Sequence, residues 1–433
     1  MADSSPIIHH SSPKGALAPY LEVFKSRRVA VVLLLGFASG LPLALTGSTL
    51  QAWLTVTGVD IRTIAWFSWI GVPYLLKFLW SPLMDRFIPP WLGRRRGWIV
   101  TTQAGFVAGV LGMAATSPDD SLLLLGIFAL WVAFVSASQD IVIDAYRTDI
   151  LTIAERGVGA AVSVLGYRIA MLVSGGLALI LADQIGWRPT YVAMAALMAI
   201  GVGAALWAPE PAMPPAVPHT LRAAVIEPLK DFFTRAGAVQ ILLLIMLYKF
   251  GDALAGTLTT AFLIRGAGFS LTEVGVVNKW LGFASLVTGA LIGGTLLTRM
   301  SLYRALLWFG LLQAVSNLSF MFLAWAGKSY AWLVFAVGFE NLASGMGTAA
   351  FVVLAMSLCN VAFSATQYAL LSALASLGRV LFGPLTGELV AAFGWANFFF
   401  ITFLAALPGL WLLWLLREQL EPAPAGAIPS NHR

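Results

Sequence analysis

The stretch RRVAVVLLLGFASGLPLALTGSTLQAWLTVTGVDIRTIAWFSWIGVPYLLKFLWSPLMDRFIPPWLGRRRGW, Arg27–Trp98, decides the fold. It opens on two arginines and runs without a charge from Val29 to Thr57. It then turns through Gly58 and Asp60, runs back from Arg62 to Leu83, and ends in a second basic cluster, Arg86 with Arg94, Arg95 and Arg96. Each run is about 20 residues or more, enough for a helix to cross a hydrocarbon core of about 30 Å. Lys and Arg are retained on the cytoplasmic side of a membrane, so a pair of crossings flanked by arginines reads as a hairpin with both ends inside.

The alternation continues along the chain. Apolar runs between charged or Pro/Gly-rich breaks predict spans at 29–57, 62–83, 97–116, 121–144, 157–182 and 187–207. Six more follow at 238–263, 271–296, 302–325, 330–357, 362–390 and 394–416. The fold class is therefore all-α and polytopic, with about twelve transmembrane helices. Composition agrees: A, V, I, L, M, F, W, Y and C make up 59% of the 433 residues, and 11% are charged, against roughly 25% in a soluble domain. The bilayer is the solvent. Residues 1–28 are polar and basic, with Pro6, Pro13 and Pro19, so no cleavable signal peptide is expected and the first span serves as the insertion signal.

With the N-terminus inside, Lys14, Lys25, Arg27, Arg28, Arg86, Arg94, Arg95, Arg96, Arg147, Arg156, Arg222, Lys230, Arg235, Arg299, Arg304, Arg417 and Arg433 fall on the inner side, and Arg62, Arg188, Arg265 and Lys328 on the outer side. Seventeen against four places both termini in the cytoplasm. The net charge of +6 thus reports topology, and no nucleic-acid partner is expected.

Five segments follow: a cytoplasmic tail (1–28), an N-terminal six-helix bundle (29–208), a cytoplasmic linker (209–237), a C-terminal six-helix bundle (238–417) and a cytoplasmic tail (418–433). The linker carries Pro209, Pro211, Pro214, Pro215 and Pro218, then an amphipathic piece, Leu221 to Phe233, suited to lie on the membrane surface. The turn Met84-Asp85-Arg86 recurs weakly as Leu297-Thr298-Arg299 after the eighth span. Two parallel six-helix repeats about an axis along the membrane normal are the plan of the major facilitator superfamily.

Inside the spans lie Lys77, Arg168, Lys249, Lys279 and Arg379, with Asp140, Asp144, Asp252, Glu340 and Glu388. An ionised side chain at mid-bilayer costs about 2.5–3.5 kcal/mol or more, so these groups must face one another or an aqueous cavity. Asp140 and Asp144 share a helix face and could hold a proton between them, while the spacing of Lys249 and Asp252 lets them touch. Asp140, Asp144, Asp252 and Glu340 are the proton-coupling candidates. A salt-bridge cluster of Lys77 with Asp140 and Asp144 that locks an inner gate is the competing reading. Arg168 cannot shed its charge and reads either as a fork donor for a carboxylate or phosphate or as half of an interhelix ion pair. Lys249, Lys279 and Arg379 add to a basic cavity.

Other residue types narrow the field. His9, His10, His219 and His432 all lie outside the spans, so neither a histidine relay nor a histidine-held metal is expected, and with Cys359 the sole cysteine no disulfide or cysteine metal site is. No cofactor beyond a coupling proton is expected. Gly36, Gly40, Gly175, Gly176, Gly289, Gly293 and Gly294 read as close-packing surfaces before ligand contacts. Trp66, Trp69, Trp187, Trp395 and Trp414 read as interfacial belts before sugar platforms.

Family resemblance enters through "GFASGLPLAL" (Gly36 to Leu45), "DRFIPPWLGRRRGW" (Asp85 to Trp98), "SASQDIVIDAYRTD" (Ser136 to Asp149) and "ERGVGAAVSVLGYRIAMLVSGGLAL" (Glu155 to Leu179). Asp85-Arg86 with Gly93-Arg94-Arg95 is similar to the facilitator signature that pins cytoplasmic helix ends, although six residues separate the two parts where the usual form has one. Together the segments resemble the AmpG family of muropeptide permeases. The resemblance implies import of N-acetylglucosaminyl-1,6-anhydro-N-acetylmuramyl peptides across a bacterial inner membrane by proton symport, feeding wall recycling and β-lactamase induction. It carries Gly36, Gln139, Asp140, Asp144 and Arg168 over as functional positions, with Gln139 at the substrate; Gly36, the signature residues Asp85, Arg86, Arg94 and Arg95 and, from its place beside the Asp140 and Asp144 helix, Lys77 are expected in gating or structural roles. A sugar-peptide substrate, the lipid bilayer and a monomeric state complete the expectation.

Three other classes compete. An acetyl-CoA-type or other organic-anion transporter of the same superfamily would use the same cations. A membrane enzyme would need a nucleophile or base beside a metal or phosphate cradle, and the sequence has no histidine in any span and no Asp-rich loop at the interface. A channel would not need mixed intramembrane charges on many helices.

Overall fold

Backbone N–H and C=O groups inside a bilayer must find partners within the chain, and the apolar runs meet that demand as helices. A computed structural model describes residues 26–81, 84, 87–152, 155–210, 230–231, 233–234, 237–358 and 364–420, with no strand among them. The helices are α1 (Arg27–Val56), α2 (Ile61–Trp66, Phe67–Gly71, Val72–Leu76 and Lys77–Leu79), α3 (Arg94–Ala115), α4 (Leu122–Ile150), α5 (Gly159–Ile185) and α6 (Trp187–Trp207). The second set is α7 (Ala238–Gly266), α8 (Leu271–Leu297), α9 (Leu302–Ala326) and α10 (Tyr330–Ser357), then α11 (Ser364–Leu381 and residues 383–393) and α12 (residues 395–415). The run Gly383–Leu415 is broken at Gly394, whose φ of 75° and ψ of 172° are not helical. Ten runs among the described residues are long and apolar enough to cross a membrane; α2 and Ser364–Leu381 are not among them. Two 3-10 stretches interrupt α2, and Pro73, which lacks an N–H, stands at the start of the turn between them. The linker's amphipathic piece falls outside the described residues, apart from Lys230, Asp231 and Phe233.

The two sets of six repeat in their turns. Gly58 and Gly268, with φ of 81° and 78°, join α1 to α2 and α7 to α8. Gly186 and Gly394, with φ of 86° and 75°, join α5 to α6 and α11 to α12, and a tryptophan follows each. Only glycine adopts such a φ without strain. Helix starts after the first pair are capped: Asp60 accepts from the Arg62 N–H at 2.9 Å, and Ser270 with Glu273 forms a capping box.

Three apolar cores result. One is shared by both sets and lies toward the Gly58 and Gly186 turns; Leu45, Trp53, Ala65 and Tyr191 from the first set join Leu258, Phe262, Val274 and Phe399 from the second. The others are separate, around Val32, Ile99 and Tyr146 in the first set and around Leu244, Leu306 and Leu413 in the second, toward the face where α1 begins. The halves are therefore fused on the far face and have separate cores on the face where α1 begins. Trp187, stacked on Trp53 at 5.5 Å, and Trp395, 5.4 Å from Phe262, fill the shared core instead of a belt. Trp66, Trp69 and Trp414 are exposed.

Within each set, glycine brings helices together. A Cβ added at Gly36 or Gly40 of α1 would strike the α5 backbone at Ser163 or Tyr167, and one at Gly289 or Gly293 of α8 would strike α10 at Leu342 or Met346. Gly294 faces open space, so the packing patch of α8 stops at Gly293.

Candidate functional site

Where the halves part, a cavity of about 770 Å³ opens between them. Its walls come from α1, α2 and α5 on one side and α7, α8, α10 and α11 on the other. Lys77, Arg168, Lys279, Arg379 and Glu340 line it, so five of the intramembrane charges anticipated from the sequence share one space.

The local backbone explains how they are aimed. Lys279 sits in the π-helical stretch Val274–Leu281, which turns the side chain toward α5, where Gly175 leaves room: a Cβ there would lie 3.6 Å from Lys279 Cδ. Gly176 does the same for Trp280, with a would-be Cβ 3.0 Å from Nε1. Both glycines lie in the π turn Val173–Leu177 of α5. Lys77 opens the last 3-10 turn of α2 and pairs with Asp140 at 4.0 Å.

Among the described residues the other cations of the cavity have no anion. Arg168 meets only the Met171 sulfur, at 3.9 Å, so its ion-pair alternative is not realised among the described residues. Neither Lys279 nor Arg379 has a salt bridge among the described residues, and neither has Glu340. Among the described residues, the cavity thus holds three uncompensated cations on three helices against one carboxylate. An ordered ligand with several carboxylates or phosphates would satisfy them.

The remaining candidates lie outside the cavity wall. Gln139 is fully buried, and both its amide atoms are without partners among the described residues. Lys249 donates to Gln313 of α9 at 3.4 Å and to Thr348 of α10 at 3.2 Å, not to Asp252, whose Oδ1 is buried and has no hydrogen-bond partner among the described residues. The helix breaks at Lys249, with φ of −101° and ψ of 2°, so it does not run on regularly from Tyr248 to Asp252. Asp140 and Asp144 each take a different cation: Asp140 accepts from Ser39 and pairs with Lys77, while Asp144 pairs with Arg147 at 3.1 Å. Gly36 is a helix-packing position. Arg94 starts α3, and Arg95, nearly buried, binds Asp149 of α4 at 2.8 Å, so this part of the basic loop ties α3 to α4 within one half. Asp85 and Arg86 lie outside the described residues.

The charge-led reading of the sequence missed the neutral polar wall of the cavity, Gln51, Tyr74, Asn278 and Asn341. The available signal was amide and hydroxyl side chains within apolar runs, which carry the same demand for partners at lower cost than a charge.

A model of the Major Facilitator Superfamily matches residues 32–382. The anhydromuropeptide permease of Escherichia coli (strain K12) is 55% identical over 403 residues, covering 93% of this chain and 82% of that protein. Putative transporter AmpG 4 of Rickettsia felis is 34% identical over 410 residues, covering 92% and 99%. Among solved structures, a bacterial homolog of the human lysosomal transporter Spinster, inward-facing and unoccupied, superposes with a TM-score of 0.70 at 14% identity, covering 96% of this chain and 100% of that one. A D-xylose-proton symporter reaches 0.70 at 13% identity, covering 93% and 98%. At such identities the structures speak for the fold alone.

Proposed function

The chain belongs to the major facilitator superfamily, on its AmpG branch, and is a membrane transporter and not an enzyme; from that premise we propose that it imports anhydromuropeptides, GlcNAc-1,6-anhydro-MurNAc and its peptides, across a bacterial inner membrane by proton-driven alternating access. The observation that carries this reading is the cluster of Arg168, Lys279 and Arg379 facing one cavity without counter-charges among the described residues. A muropeptide presents several carboxylates to such a wall and sugar hydroxyls and acetamides to the neutral one. Basic residues favour the cytoplasm for the face where α1 begins, since Arg27, Arg95, Arg96 and Arg304 lie at helix ends there and Arg62, Arg188 and Arg265 at the far face. The far-face closure then makes this the inward-open state, and each copy holds a complete site, in keeping with a monomer. Proton coupling falls to Glu340, which lines the cavity, and to Asp140, which pairs at 4.0 Å with the cavity-lining Lys77; Asp144 and Asp252 complete the set to be tested.

Uptake of labelled anhydro-muropeptide by energised right-side-out vesicles tests the reading. Arg168→Gln should lower uptake about tenfold or more, the loss of one charge-assisted contact of about 1.5–3 kcal/mol. Loss of accumulation with retained counterflow in a carboxylate variant would identify the coupling group. Vesicles that accumulate acyl-CoA but no muropeptide would move the assignment to the organic-anion carriers of the same superfamily, for which the same cations would serve.

A further inference from the structure

Gln51 stands where the cavity meets the seal between the halves. Its side chain lines the cavity, yet its amide is committed to α7: Nε2 donates to the Thr257 carbonyl at 2.6 Å, and Oε1 accepts from the Ala261 N–H at 3.2 Å. Those two backbone groups are partners four residues apart in an α-helix, so the amide lies along one rung of the α7 ladder. Just beyond, α7 widens into the π turn Phe262–Gly266. From it Arg265 donates to the Thr55 and Val59 carbonyls, at 2.7 and 2.9 Å, where α1 ends. α1 and α7, one from each half, are thus held by two side chains on the far side of the cavity, and of the two only Gln51 lines it.

The rung makes this bond reversible. When Gln51 leaves, the Ala261 N–H and the Thr257 carbonyl still have each other, so no buried group is orphaned, and orphaning is the usual cost of breaking a hydrogen bond in a dry seam. A ligand that binds the same amide with good geometry draws it off the ladder at little expense. Among the described residues no cation of the cavity hydrogen-bonds this amide; the cations take the charged part of a ligand and Gln51 takes a neutral part.

We infer that Gln51 is the ligand-sensing residue of this site: a hydroxyl or acetamido group of the sugar takes over its amide and so unfastens α1 from α7. The identity of the ligand rests on the glycopeptide reading above; the latch itself does not.

A cysteine reporter separates the two. Gly256 lines the cavity and nothing lies within 4 Å of a Cβ built there, so Gly256→Cys fits, in a Cys359→Ser background. In right-side-out vesicles an impermeant maleimide reaches it only when the far face opens. Labelling should be slow without ligand, several-fold faster with the GlcNAc-anhydro-MurNAc disaccharide, and unchanged by the free peptide. Gln51→Leu should label several-fold faster without any ligand and gain little from the disaccharide. Gln51→Glu keeps the acceptor for Ala261 and loses the donor to Thr257, and should fall between; it decides alone if the leucine variant fails to reach the membrane. A ligand-free Gln51→Leu rate equal to the parent's overturns the latch. A disaccharide that is taken up yet leaves labelling unchanged overturns the sensing. If no glycopeptide is taken up at all, the substrate reading fails, and the ligand-free rates still judge the latch.

Discussion

Glu155 joins three segments at the face where α1 begins. Burial works against its charge, but the Ser26 hydroxyl at 2.7 Å, the Thr152 N–H and hydroxyl, each at 3.0 Å, and Arg28 at 3.6 Å together hold its carboxyl below the ordinary carboxylate range. A carboxyl held down in the folded state stabilises the fold above its unfolded value and loses that contribution as pH falls through the folded value. Glu155→Gln should therefore melt below the parent in micelles near pH 7, and the gap should close as the pH drops to about 3. Parallel melting curves at both pH values would show that these contacts do not hold the fold. Residues of this kind were only partly legible in the sequence. Arg168 could be read because its charge is permanent and its helix apolar. The expected Lys249–Asp252 contact could not be judged, because spacing says which side chains can meet along one helix and not that Gln313 and Thr348 on other helices hold the lysine instead.

Among elements, α8 shows how helix packing fixes the cavity wall. Gly289 and Gly294 are five residues apart in one apolar run, and the sequence does not distinguish them; the structure sets Gly289 against the α10 backbone, with Leu342 Cα 2.9 Å from a would-be Cβ, and leaves Gly294 in the open. Gly289→Ala should lower the melting midpoint and cost on the order of 1–3 kcal/mol, the range for overpacking, while Gly294→Ala should leave it unchanged or slightly higher. Equal midpoints would mean that α8 and α10 do not approach as closely as described. Helix number and order were legible because a bilayer admits few alternatives to an apolar helix. Breaks within helices were less so. Pro73 hints at the irregular α2, but the π turns of α5 and α8 follow from packing against each other, which no single run of sequence contains.

In the whole molecule, the halves share one core on the far face and keep separate cores on the other, and Arg62–Glu388 at 2.9 Å adds an exposed ion pair across the shared side. Exposed pairs contribute little to stability, so its effect belongs to the balance between the two orientations. Reversing either charge alone should change counterflow a few-fold, and the swap Arg62→Glu with Glu388→Arg should restore it; a swap no better than its parents would remove the pair from that balance. The surplus of positive groups around the cavity has an electrical side as well. In the orientation proposed above, with the α1 face toward the cytoplasm, the resting potential would drop across the closed far-face barrier, where each uncompensated charge is worth about 2.3 kcal/mol per 100 mV. A vacant carrier is then pulled by voltage toward the orientation that looks into the cell, and an anionic cargo, by cancelling that surplus, releases it from the pull.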